Sequence, residues 1–490
     1  MNADIAIVGG GPAGSAAALR LLALGHRVVV IEAKSFPRPH IGEALSPGVP
    51  ALLDFLGAGS VLTPSEYLRG TPARILWETP DPVAAPRPAD AIVVDRGRFD
   101  ADLLASAVRE GAGLLQPATV RRFAVEGTGA ELTVETPDTT RTIRADVVID
   151  ARGRRGASAT ARWPLAPPLL ALWSDAPNSD RPAEALVEAT PSGWFWGSPL
   201  PGDRFRRLYF TDLHALDDST PEAVFSEAAA ASRLFVSRPR ERVDVRVLPV
   251  HAWVDAHPLS GSVVRVGESA FTLDPLSSSG VEKALRSGLQ AALAVHHRRR
   301  SGAWNLAETW YPEQLADTVV THERWTREHY RAAWPTSDDT FWMRQRAEPA
   351  APPTDASAFV HDIARRLRAA EDGRSSARPT RRSTASIEDL AATPVVLSPE
   401  TTFCTSICAV EDDLVRREAV RFGPEDRPIA FLGGIALAPL LRAARPGAFL
   451  AEWIHVWSAS VGHPTALRLA RFLIEHGHAL PQTPASELTL

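Results

Sequence analysis

Apolar residues first gather in a short run, Asp4-Ile5-Ala6-Ile7-Val8, that ends in Gly9-Gly10-Gly11-Pro12-Ala13-Gly14. Ala, Leu and Arg then recur at helical spacing through Leu24, and a β-branched run from Arg27 to Ile31 closes on Glu32. This order predicts a strand, a tight turn, a helix and a second strand. Asp95 to Ala107 predicts a strand end followed by a helix, and Ala145 to Asp150 another buried strand. From Leu186 to Phe210 the pattern alternates and is rich in aromatics, as expected of a sheet layer that covers a pocket. Between Arg346 and Thr393 the chain is rich in Pro, Ala, Ser and Arg and reads as a linker, with one short helix expected near Phe359 to Ala370. Ile429 to Leu441 and Ala448 to His476 return to helical spacing, which predicts a small C-terminal helical or winged-helix-like unit.

A chain of 490 residues is long for one core. The patterning divides it into a discontinuous nucleotide-binding domain (1–180 and 258–345), a sheet layer over the substrate (181–257), a linker (346–393) and the C-terminal unit (394–490). Charged residues make up 23% and the net charge is -5, so neither a nucleic-acid partner nor a membrane surface is expected. No apolar run approaches the roughly 18–20 residues that span a bilayer. The start passes directly into a strand with no basic export segment, and a cytoplasmic protein is expected. Cys404 and Cys408, the only cysteines, suit neither a disulfide framework nor a zinc site, so no metal is expected.

The glycine hexad carries the first chemistry. Gly9 permits the turn, Gly11 lets a pyrophosphate approach the helix N-terminus, and Gly14 allows close packing. Glu32, ending the second strand, can accept from a ribose hydroxyl.

Val148 to Ser158, "VIDARGRRGAS", resembles the Asp-Ala-x-Gly-Arg-Arg segment of flavoprotein hydroxylases. "VVRVGESAFTLDPLSSSGVEKAL", from Val263, resembles their second flavin fingerprint, in which the Asp274-Pro275 turn and residues Ser277 to Gly280 aim backbone N–H groups at the flavin pyrimidine edge. The resemblance implies a Rossmann-type FAD-binding domain of the group A monooxygenase kind, an α/β fold. It further implies FAD contacts at Pro12, Ala13, Ala33, Arg38, Gly42 and Arg96, and at Gly267, Glu268, Asp274, Ser278, Gly280 and Val281. Glu268 departs from the family, where an aspartate usually holds the ribityl chain. Arg96 has the alternative of an ordinary surface arginine.

"GWFWGSPLPGD", from Gly193, nearly spells the Trp-x-Trp-x-Ile-Pro signature of flavin-dependent halogenases, and "IGEALSP" resembles a segment they share with a group of hydroxylases. In halogenases a lysine that holds the halogenating agent follows this segment, but Glu66 to Glu78 contains none. Lys34 and Lys283 are the only lysines, expected beside the adenosine strand and on the helix behind the flavin. The chain resembles more fully, from Ile5 to Leu293, the flavoprotein hydroxylases that mature tryptophylquinone cofactors in bacterial amine dehydrogenases and amino-acid oxidases. That resemblance implies hydroxylation of a tryptophan in a partner polypeptide, with dioxygen added to reduced FAD to form a C4a-hydroperoxide that the indole attacks. NADH, NADPH or a reduced-flavin supply from a separate flavin reductase would provide the electrons.

Trp194 and Trp196 would wall the pocket, and Glu43 and Pro275 would border the flavin. The tryptophans read equally as core packing, and Glu43 as a helix N-terminal charge. A hydroxylase or epoxidase of a small aromatic or polyketide metabolite is the alternative enzyme. The C-terminal unit has the further reading of a module that recruits the partner polypeptide, with Trp453 and Trp457 exposed on one helix face; buried packing is the other reading of that pair.

Overall fold

The computed structural model describes residues 2–85, 91–126, 129–156, 161–177, 183–235, 244–334, 340–375, 393–423 and 426–482. They form two compact units, Met1–Leu367 and Arg368–Leu490.

The first unit is built on a parallel sheet in which Asn2–Val8 lies between Val28–Ile31 and Thr140–Asp150, with Gly113–Leu115 beyond one neighbour and Val263–Arg265 beyond the other. Ile5, Ala6 and Ile7 are fully buried, which explains why this strand reads as a continuous apolar run rather than an alternation. Helix Pro12–Ala23 begins directly after Gly11, with its proline in the first turn, where the missing N–H costs no hydrogen bond. Its small residues let helix Gly280–Ser301 come close: a methyl group on Gly288 would sit 2.3 Å from the Ala13 carbonyl oxygen. Helix Arg96–Arg109 is capped by Asp95, whose carboxylate accepts from the Arg98 N–H at 3.0 Å.

The second layer is a seven-stranded sheet of described residues, in the order Arg246–Pro249, Leu169–Pro177, Arg204–Asp212, Gly193–Leu200, Ala185–Thr190, Ala73–Leu76, Val83–Ala85. It draws on chain from well before residue 181. Alternation along Gly193–Leu200 sends Trp194 and Trp196 to one face, with Trp77, Phe210, Tyr330 and Trp342, and Phe195 to the other, with Phe205, Phe225 and Phe235.

In the second unit a hairpin, Thr402–Val410 with Asp413–Arg421, accompanies helices Leu437–Ala443, Leu450–Val461 and His463–Glu475. The expectation of a helical unit holds, with one correction. Ile429 to Ala436 is not helix: Phe431–Leu432 pairs with Ile435–Ala436 across Gly433-Gly434, whose φ angles of 57° and 81° make a tight hairpin turn. Of the two readings of Trp453 and Trp457, buried packing is the one observed: 1% and 0% of their surfaces are accessible, and their indole N–H groups donate to the carbonyls of Arg445 and Leu440, both at 2.7 Å. Helix Ala358–Ser375 is longer than the short one expected, and residues 376–392 of the linker-like stretch lie outside the described residues.

Candidate functional site

The glycine turn has the shape a pyrophosphate requires. Gly9 has φ 111°, and a methyl group there would lie 2.2 Å from the Ala151 carbonyl oxygen. One on Gly14 would lie 2.0 Å from the Gly9 carbonyl oxygen. Both positions are closed by backbone, so they serve the fold. Gly11 differs, since a methyl group there meets nothing nearer than the Arg38 guanidinium at 3.6 Å, and the space over the helix N-terminus is open. Pro12 and Ala13 continue the helix from this turn.

Glu32 is buried and accepts from the Gly10 N–H at 2.7 Å and the Lys34 N–H at 2.8 Å, so its carboxylate is fixed at the end of its strand beside Ala33. Arg96 is buried, which removes the surface-arginine alternative. Its guanidinium makes two bonds to Asp100, at 3.0 and 3.2 Å, and donates to the carbonyls of Ile41 and Gly42, both at 3.2 Å. Asp100 also draws in Arg38 at 3.6 Å. Arg96 therefore holds the Arg38 to Gly42 loop against the nucleotide turn. The open helix terminus at Gly11 and the fixed carboxylate of Glu32 fit the adenosine diphosphate half of FAD.

Glu43, next in that loop, is buried and ion-paired to Arg206, while Gly42 donates to its second oxygen at 3.0 Å. Burial pushes the Glu43 carboxyl up, against the pull of Arg206. Arg206 also makes two bonds to Asp175, at 2.6 and 2.7 Å, and lies over the Trp173 ring. Glu43 is thus committed to an ion pair that ties the loop to the sheet layer, and it is not a free base. Glu268 is half-exposed and pairs with Arg154 of the Asp-Ala-x-Gly-Arg-Arg segment at 3.1 Å.

At the second fingerprint, Gly267 has φ 55°, Asp274 opens the Pro275–Ser277 turn, and Ser278 takes a left-handed conformation (φ 49°) just before helix Gly280–Ser301, in which Val281 is buried. Asp274 accepts from the Leu276 N–H at 2.9 Å and from the Tyr330 hydroxyl at 2.7 Å. Burial pushes its carboxyl up to about 6 even so. Tyr330 accepts from the Trp194 indole at 3.2 Å, and Trp194 stacks on Phe210 at 3.8 Å. Trp77 and Trp342 complete this wall, their N–H groups donating to the carbonyls of His329 and Thr190 at 2.8 and 2.9 Å. The buried Trp196 indole N–H has no partner among the described residues.

Sequence reading missed Trp77, Tyr330 and Trp342. Trp77 lies in the Glu66 to Glu78 segment, which holds no lysine, and packs in the aromatic cluster with Trp194 and Trp342. Lys283 stands in the first turn of helix Gly280–Ser301, its pKa lowered by burial.

The family comparison decides among the flavin folds. A model described as FAD binding domain matches residues 2–164, and one described as tryptophan halogenase matches residues 86–372, more than half of the chain. The chain belongs to the tryptophan halogenase family. Like its family, it carries an FAD-binding domain at the amino-terminal end. It is 28% identical to Tryptophan 2-halogenase of Chondromyces crocatus over 322 residues, spanning 60% of this chain and 61% of that relative, less than two thirds of its length. Among solved structures, the flavin-dependent halogenase CmlS superposes with a TM-score of 0.77 at 20% identity, covering 98% of this chain and 96% of that one. The peptidyl tryptophan dihydroxylase QhpG, described as essential for tryptophylquinone cofactor biogenesis, gives 0.69 at 22% identity, covering 97% and 100%. At these identities the two structures establish the fold, and they extend it through the C-terminal unit.

Proposed function

We propose that the protein is an FAD-dependent monooxygenase that hydroxylates a tryptophan side chain of a partner polypeptide during tryptophylquinone maturation, acting in the cytoplasm. The observation that carries this reading is the aromatic wall joined by hydrogen bonds to the flavin fingerprint turn, with Trp77 and no lysine in the segment from Glu66 to Glu78. The likeness of the whole chain to a peptidyl tryptophan dihydroxylase supports it.

FAD would lie with its pyrophosphate at Gly11 and a ribose at Glu32, and when reduced by NADH, NADPH or a flavin reductase it supplies dioxygen activation. The chain's own residues do the rest. The backbone N–H groups before helix Gly280–Ser301 face developing negative charge, the wall of Trp77, Trp194 and Trp342 excludes water, and the unpartnered Trp196 N–H is a donor for an acceptor on the substrate. An electron-rich indole needs orientation rather than deprotonation, which agrees with Glu43 being held in an ion pair.

One observation favours the second reading, a small aromatic substrate: Trp194 and Trp196 are 1% and 9% exposed, so these two residues form no surface opening. Incubation of the full chain with a candidate partner, a flavin reductant and isotopically labelled dioxygen separates the readings. Labelled oxygen on one tryptophan of the partner, with free tryptophan a poor substrate and no halogenated indole formed when bromide is present, is the expected result. Efficient hydroxylation of free tryptophan or a small phenol, with the partner unchanged, would establish the small-molecule reading instead.

A further inference from the structure

Helix Asn305–Ala332 carries a stripe of buried polar side chains, His322, Glu323, Thr326, Arg327 and Tyr330, at a spacing that puts Glu323, Thr326, Arg327 and Tyr330 on one face. No sequence motif marks this stripe. Two of its members grip the fingerprint turn: the Tyr330 hydroxyl donates to the Asp274 carboxylate, and His322 Nε2 lies 3.0 Å from the Asp274 carbonyl oxygen. His322, nearly wholly buried, is held at about 4 by burial and by the charge of Lys283, so it is neutral and can donate to that oxygen. Tyr330 then passes the connection on, accepting from Trp194 in the sheet layer. The turn beside the flavin and the indole of the candidate wall are thereby linked through a single hydroxyl.

We infer that Asp274 and Tyr330 are positioning residues that fix the Trp194 indole from the flavin fingerprint turn, and that Glu323 keeps the buried face beside them free of a second negative charge. The two bonds give the Tyr330 hydroxyl one role each way: its proton goes to Asp274 and its oxygen accepts from Trp194. A Tyr330 hydroxyl that donates to a carboxylate has its oxygen lone pair turned outward for the Trp194 N–H, and Phe210 stacks on that ring from its other contact. Protonating Asp274 replaces a charge-assisted acceptor by a neutral one and loosens both bonds.

Glu323 lies one helical turn from Arg327, 3.7 Å between charged atoms, and its Oε1, like the Thr326 hydroxyl, has no partner among the described residues. Burial, with the charge of Asp274 adding to it and that of Arg327 opposing it, pushes the Glu323 carboxyl up to about 8. The charged and titratable groups around the pair are thus His322, Arg327 and Tyr330 on the same helix, Asp274 on the turn and Lys283 on helix Gly280–Ser301. At neutral pH Asp274 is ionised and Glu323 protonated, which leaves Asp274 as the one anion of the two.

The inference uses the flavin reading only to say what the turn faces, so its test is made on flavin-free full-length protein. The near-ultraviolet circular dichroism of tryptophan is followed from pH 9 to pH 5, with far-ultraviolet spectra confirming that the fold persists. The band lost in Trp194→Phe identifies the signal of Trp194. In the wild type that signal should fall in a step centred near pH 6, as Asp274 takes up a proton. In Tyr330→Phe it should be weak and flat with pH. In Glu323→Gln the step near pH 6 should remain, while proton uptake between pH 9 and pH 7 falls by roughly 0.8 of a proton. A Trp194 signal that is flat with pH in the wild type, or an unchanged step in Tyr330→Phe, overturns the inference. Should Tyr330→Phe fail to fold, the wild-type titration read against Trp194→Phe decides alone. A normal step in a protein that binds no FAD would refute the flavin reading and leave this one standing.

Discussion

Replacing Gly11 by leucine yields a folded protein that purifies without flavin. Gly11 has φ -71° and ψ -176°, extended backbone open to any residue, and the first atom a β-carbon there would meet is 3.6 Å away. The apoprotein therefore accepts the side chain without strain, and the leucine fills the space over the helix N-terminus that a pyrophosphate would occupy. A loss of FAD affinity of at least about a hundredfold, roughly 2.7 kcal/mol, is expected. Flavin content after purification and titration of the apoprotein with FAD measure it, beside a far-ultraviolet spectrum like that of the wild type. Gly14→Ala is the contrasting variant. Its methyl group would meet the Gly9 carbonyl oxygen at 2.0 Å, so backbone must move and folding itself is impaired. Full flavin occupancy in Gly11→Leu would show that the nucleotide lies elsewhere.

The largest stability loss is expected in the second unit. Trp457→Ala removes a fully buried side chain from a core shared with Leu450, Trp453, Leu469 and Leu473, and leaves the Leu440 carbonyl without its indole donor. A cost of about 3–5 kcal/mol follows from large-to-small truncation in a packed core. Denaturant unfolding of the full chain, with hydrogen exchange in helices Leu437–Ala443 and His463–Glu475, should show the loss concentrated there. Val456→Ala, on the same helix but 42% exposed, is the control and should change stability little. Equal effects of the two would contradict the packing.

These particulars show which parts of the molecule could be read from the chain. The nucleotide half was legible because its geometry is local: Gly9, Gly11, Gly14 and Glu32 lie on one strand-turn-helix-strand unit, and their spacing is the structure. Arg96 was legible as a position, but its work on Ile41 and Gly42 crosses the fold and leaves no periodicity. Tyr330 and Trp342 reach the wall from helices after the last fingerprint, in a stretch whose spacing only says amphipathic helix. In the second unit, the spacing of Trp453 and Trp457 located a helix face correctly but could not say which face is covered. Gly433-Gly434 was the available sign that Ile429 to Leu441 would not run as one helix.

The parallel sheet also has a consequence for biosynthesis. Asn2–Val8 leaves the ribosome well before its partner Thr140–Asp150 and the strand beyond that, Val263–Arg265, and helix Pro12–Ala23 waits for helix Gly280–Ser301. At 5–20 residues per second the central strand's second edge waits roughly 7–28 s for Thr140–Asp150, and the alanine-rich helix roughly 14–56 s for helix Gly280–Ser301. Long-range pairing of this kind makes the nascent chain a client for chaperones before it is a receptor for FAD. Helix Pro12–Ala23, which begins at the Gly11 turn, is covered only after residue 301 has emerged and the two glycine-bearing helices close on each other.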